Sequence, residues 1–160
     1  MTRTSYTALW LVAAALLQLP VPATAQAAPS IAADLQMAQD AAPFRRTADA
    51  FVASALAGDA ARTQAMLSPA MVARSGEAAI RRALDTQILP FFAQGKAPGR
   101  SVTVTRTTDA AGQQGYAFYM WLQAADPSVQ RPFTVYVVEE QGRLAVANIV
   151  PDRLVEGRHR

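Results

Sequence analysis

No cysteine occurs in the 160-residue sequence, and histidine and lysine occur once each, as His159 and Lys96. Without cysteine there is no disulfide, no thiolate metal site, no catalytic thiol and no lipid-bearing cysteine, so the folded part must stand on packing alone. A single histidine in the last two positions of the sequence is badly placed to be the base of a Ser-His-Asp triad, and it has no companions with which to form a transition-metal set. The 12 acidic residues are too scattered to resemble a calcium loop, and no glycine loop able to cradle phosphate is present. No catalytic residue, no metal ligand and no cofactor is therefore assigned.

Excess charge is scarce as well. The formal net charge is +3, and removing Arg3 with the leader described below leaves 14 basic and 12 acidic residues, or +2. That is too little to support nucleic-acid binding. The high pI of about 9.8 arises because every base but Lys96 is an arginine, which is a titration effect rather than a concentrated positive field. A hydrophobic content of 51% excludes a disordered tail protein, and neither an internal repeat nor a low-complexity core is present.

The sequence opens with one base, Arg3, followed over residues 8–19 by an uncharged stretch carrying Leu9, Trp10, Leu11, Val12, Leu16 and Leu17. This has the length and hydrophobicity of a secretory signal core, and Pro20 and Pro22 break it. Ala23-Thr24-Ala25 supplies the small residues that a signal peptidase accepts, with Ala25-Gln26-Ala27 as a second site. The run is shorter than the roughly 20 apolar residues of a spanning helix. The expected organisation is a signal peptide over residues 1–25, a flexible or frayed linker over 26–42, one domain over 43–152 and a tail over 153–160. The location is periplasmic or secreted, and no membrane span remains after leader removal. The tail bases Arg153, Arg158, His159 and Arg160 are diluted by Asp152 and Glu156, as in a solvated end.

Residues 26–42 are alanine-rich with weak periodicity, which leaves a loose linker and a frayed helix both open. From Pro43 the pattern sharpens: Phe44, Ala48, Phe51, Val52, Ala55 and Leu56 fall at helical spacing, Pro43 suits a helix start, and Gly58 suits the position just past its end. Asp59 can cap a second, short helix through Leu67, closed by Ser68-Pro69. Ser75 can cap a third, with Ile80, Leu84, Ile88 and Phe91 on one face and Pro90 to kink or end it. Residues 95–99 read as loop.

Beyond them the period changes to that of strands. Residues 101–108, 116–123, 133–140 and 144–150 read as four strands joined by short turns, which predicts an antiparallel meander with helices on one face, an α+β arrangement. Tyr116, Phe118, Met120 and Leu122 share one face of the second strand. The other face would leave Tyr119, Trp121, Tyr136 and Val138 exposed on a lone protomer, and a patch of that kind predicts a homodimer through the sheet.

The order helix, Gly58-Asp59 turn, short helix, Ser68-Pro69, longer helix with a late proline, and a meander ending in Val146-Ala147-Asn148-Ile149-Val150-Pro151 resembles the nuclear transport factor 2-like superfamily. In this family a curved sheet wraps helices into a cone; the likeness covers residues 44–151, with a sheet of four strands. A cystatin-like arrangement of similar elements is the rival. The resemblance implies a pocket between sheet and helices, frequent dimerisation, and roles from isomerase and dehydratase to binding module.

If Val102 and Val104 point inward, Arg106 follows on their face, and Glu139 follows Phe133, Val135 and Val137 in the same way. Tyr116 and Asn148 take comparable places on their strands. Arg106, Tyr116, Glu139 and Asn148 are thus the candidate ligand-binding residues, suited to a polar or anionic ligand. The acidic or histidine bases of the family's enzymes have no residue-by-residue match here. The expected function is accordingly an exported, non-catalytic domain that binds a small molecule or another envelope protein, the alternative being a cofactor-independent isomerase, dehydratase or hydrolase using the cone. Mass spectrometry of the exported protein should find Gln26 at the mature N-terminus, and an intact Met1 would overturn the leader assignment.

Overall fold

The computed structural model describes residues 31–98, 103–124 and 130–151. The expected leader, the start of the linker, the tail and the turn at residues 126–128 lie outside them. The described chain is α+β: helices packed on an open antiparallel sheet of five strands.

Helix α1 spans Ile31–Leu56 and carries Ala41, Ala48, Phe51, Val52 and Ala55 as a buried stripe. It starts twelve residues before the expected start, and Pro43 lies inside it. Pro43 can bond no carbonyl four residues back, but the turns on either side continue and Arg45 forks onto both carboxylate oxygens of Asp49 at 3.0 and 3.1 Å. The helix stops at Gly58, whose φ of +71° is left-handed. The N–H of Asp59 bonds Ser54 O at 3.0 Å and that of Gly58 bonds Ala55 O at 3.1 Å, the paired bonds of a Schellman ending.

Asp59 caps α2, Ala60–Ala65, by accepting the Arg62 N–H at 2.9 Å. The buried hydroxyls of Ser54 and Thr63, 3.0 Å apart, tie α2 to α1. The next turn corrects the sequence reading. Ser68-Pro69 closes α2 but also opens α3, Pro69–Ser75, with Ser68 as cap and proline in the first turn; Ser75 is the last residue of α3 rather than a cap. Gly76, at φ +81°, then leads into α4, Glu77–Ala83. Pro90 does not end this run. A π-helical turn over Leu84–Ile88 shifts the bonding so that Leu89 N–H reaches Leu84 O, and α5, Leu89–Phe92, continues through the proline.

The strands are β1 (Gly95–Pro98), β2 (Thr103–Thr108), β3 (Gln114–Ala124), β4 (Gln130–Glu140) and β5 (Arg143–Pro151). Strand β1 was read as loop because Gly-Lys-Ala-Pro has no β pattern; pairing with the far end of β3 makes it extended. Both β1 and β2 lie along one edge of β3, followed by β4 and β5, so the expected meander is present with a fifth, short strand added. Gln141 and Gly142, both at positive φ, make the two-residue hairpin between β4 and β5. At Gly115 the neighbouring strand comes so close that any β-carbon would strike the Val137 carbonyl.

The inner face of the sheet is solid. Phe118, Met120, Leu122, Phe133, Val135 and Val137 are fully buried against Phe51, Val52 and Phe92. The rings of Phe91, Phe92 and Phe133 meet edge-to-face at 5.2–5.8 Å. Each such side chain contributes about 1.5–3 kcal/mol by leaving water. The second face corrects another expectation: Val138, placed there as exposed, is 0% exposed, because α3 and the β2–β3 turn come over that end of the sheet. Tyr119, Trp121 and Tyr136 are half-buried.

The helical half is fastened to the free edge of β5 at one place. Val146 N–H bonds Met66 O and Ser68 N–H bonds Val146 O, each at 2.9 Å, a parallel bridge between Leu67 and Val146. Beside it the Glu140 carboxylate, 7% exposed, accepts Ser68 Oγ–H at 2.6 Å and the first-turn N–H of Ala70 at 2.9 Å. A buried carboxylate is tolerated because its oxygens are satisfied and it meets the positive end of a helix. Ser68→Ala and Glu140→Ala should each lower stability by about 1–3 kcal/mol. In urea unfolding the double variant should lose about 1 kcal/mol less than the two losses added, and strict additivity would deny the clamp.

Candidate functional site

At the rim where α1 passes over the hairpin end of β2 and β3, the packed interior gives way to an open cleft of about 690 Å³. Its position follows from alternation. Arg106 faces Tyr116 directly across β2 and β3, and Tyr116 faces Val137 across β3 and β4, so all continue the inner face beyond the point where hydrophobic filling stops. Glu139, two residues past Val137, adds an exposed carboxylate to the wall. From above, α1 supplies Asp40 and Phe44, one turn apart on the stripe that ends in Ala48 and Phe51.

The Phe44 ring meets Tyr116 edge-on, with centroids 4.9 Å apart, and so seals the core beneath the cleft. Tyr116 is 7% exposed, so its ring belongs to the core and its edge to the cleft. Arg106 Nη2 donates to Asp40 Oδ2 at 3.1 Å, with side chains 68% and 38% exposed. At that exposure the pair is screened and worth under about 1 kcal/mol. Chemically the cleft offers one guanidinium already engaged, one engaged carboxylate, one carboxylate at Glu139 that has no partner among the described residues, and hydroxyl and amide groups from Thr107, Thr108 and Gln114.

Three of the four ligand-binding residues expected from sequence therefore stand together: Arg106, Tyr116 and Glu139. Asn148 does not join them. It faces Tyr136, whereas Val137 faces Val146, so Ala147 is an extra residue bulged out of β5 and every side chain after it changes face. Asn148 lines a second cleft on the opposite face, together with Tyr136 and Val138. Sequence reasoning missed Asp40, which fell in the stretch left open as linker; extending the stripe of Phe44 back by one turn would have found it. Among the described residues no group of three or more His, Asp or Glu side chains is arranged to hold a metal ion, and no helix is long and apolar enough to cross a membrane.

No protein family, curated protein or solved structure matches the chain. Because the Arg106–Asp40 pair is screened and Phe44 is packed, the two should separate in unfolding experiments. Arg106→Gln should change stability by less than about 1 kcal/mol, whereas Phe44→Ala should cost about 2 kcal/mol or more. Equal losses would mean that the ion pair, not the ring, seals the rim.

Proposed function

We propose that this chain is an exported, non-catalytic binding domain of the nuclear transport factor 2-like type, taking up a small polar molecule or a segment of another envelope protein at the rim cleft. The observation that carries the reading is the contrast between interior and rim. Phe118, Met120, Val135 and their neighbours fill the space between sheet and helices, while the cleft above Tyr116 stays open and polar. An acid–base enzyme of this shape needs a carboxylate held in a water-poor cavity next to its substrate. Of the two carboxylates at the cleft, Glu139 is instead exposed, and Asp40 is partly exposed and already paired with Arg106.

The fixed charges narrow the ligand. Arg106 is engaged with Asp40 and Glu139 has no partner among the described residues, so the cleft leans negative. It suits a polar molecule offering hydrogen-bond donors or a positive group better than the anion also expected from sequence. Self-association belongs to the same proposal. The half-buried rings of Tyr119 and Trp121, edge-to-face at 5.3 Å on the second face, are its natural contact.

Native mass spectrometry of the protein taken from its own envelope tests the reading. The wild type should carry a small-molecule adduct or a bound partner, and Glu139→Lys, at an exposed position, should lose it while remaining folded. A bare wild-type chain, or an adduct indifferent to Glu139→Lys, would overturn the rim cleft as the site.

A further inference from the structure

The opposite face of the sheet holds a cleft of about 470 Å³, within the size range of small-ligand sites. Its apolar surface is the half-buried ring of Tyr136, with Val138, fully buried, and Ala147, nearly so, set behind it. One wall is α3, which presents Met71 and Arg74, three residues apart and so on one helix face. Another wall is the turn after β2, which presents Asp109.

The polar groups here are only partly used. Arg74 has no ion pair or hydrogen bond among the described residues. Asp109 spends one oxygen, Oδ1, on the N–H groups of Ala111 and Gln113 at 2.9 and 2.8 Å, leaving Oδ2 without a donor among the described residues. Asn148 accepts the N–H of Ile149 on Oδ1 at 2.9 Å, which fixes the orientation of its amide and leaves both Nδ2 hydrogens to offer. The cleft thus carries one unpaired cation and one half-free carboxylate on different walls, beside an apolar surface.

We propose that this second cleft binds a short linear zwitterion, a di- or tripeptide with free ends. Its carboxylate lies at Arg74, assisted by Asn148 Nδ2, its ammonium at Asp109 Oδ2, and its side chains on Met71 and the ring of Tyr136. An anion alone would meet the charge of Asp109, and a cation alone that of Arg74. A molecule with opposite charges at its two ends meets neither repulsion and partners both groups.

Isothermal titration of the whole chain with three probes decides the matter: Ala-Ala, N-acetyl-Ala-Ala without the ammonium, and Ala-Ala amide without the carboxylate. Ala-Ala should bind saturably, and each blocked probe should bind about tenfold more weakly, the loss expected for one partnered charge. Arg74→Gln should weaken Ala-Ala about tenfold and leave Ala-Ala amide unchanged. Asp109→Asn, which keeps the turn acceptor, should do the same for Ala-Ala against N-acetyl-Ala-Ala. Glu139→Lys, in the rim cleft, should affect none of these titrations. Absence of saturable Ala-Ala binding up to roughly 10 mM would overturn the proposal, as would three probes of equal affinity or Ala-Ala binding indifferent to both variants.

Discussion

The close packing of the inner sheet face is the constraint on which everything else rests. Phe118, Met120, Leu122, Phe133, Val135 and Val137 meet Phe51, Val52 and Phe92 with no side chain among them exposed. With no cysteine, no disulfide shares the load with this packing. It also decides where chemistry can take place. Where these side chains fill the space between sheet and helices, polar groups gather beyond them: at the rim above Tyr116, and on the second face beside α3.

The packed face is closed at its open edge by polar groups rather than apolar ones. Glu140 accepts from Ser68 and Ala70, and Val146 exchanges backbone bonds with Met66 and Ser68. Together they hold α3 over the end of the sheet and bury Val138. The same arrangement builds a wall of the second cleft, so the clamp links stability to the shape of that site. The π-helical turn before Pro90 lets the helical run reach Phe91 and Phe92, which complete the aromatic cluster with Phe133.

What could be read from sequence were features decided locally. The stripe from Phe44 to Leu56, the stop at Gly58 and the cap at Asp59 depend on neighbours within a few residues, and alternation in β3 put Tyr116, Phe118, Met120 and Leu122 on one face. The features that escaped depend on distant partners. Ser68-Pro69 reads equally as a stop and a start until Glu140, 72 residues later in the chain, satisfies the start. Gly-Lys-Ala-Pro becomes a strand only because β3 extends past β2. At the candidate site, Arg106, Tyr116 and Glu139 could be placed by alternation because their strands are regular up to those positions. Asn148 could not, because one bulged alanine reverses the parity of β5.

A filled interior is most directly tested by xenon, which enters apolar cavities too small for other probes. Methyl-labelled protein under xenon pressure should show no saturable shift at Met120, Leu122, Val135 or Val137, all of them fully buried. A saturable shift at those methyls would reveal a cavity between sheet and helices, and binding would then have to be sought there instead of at the rim.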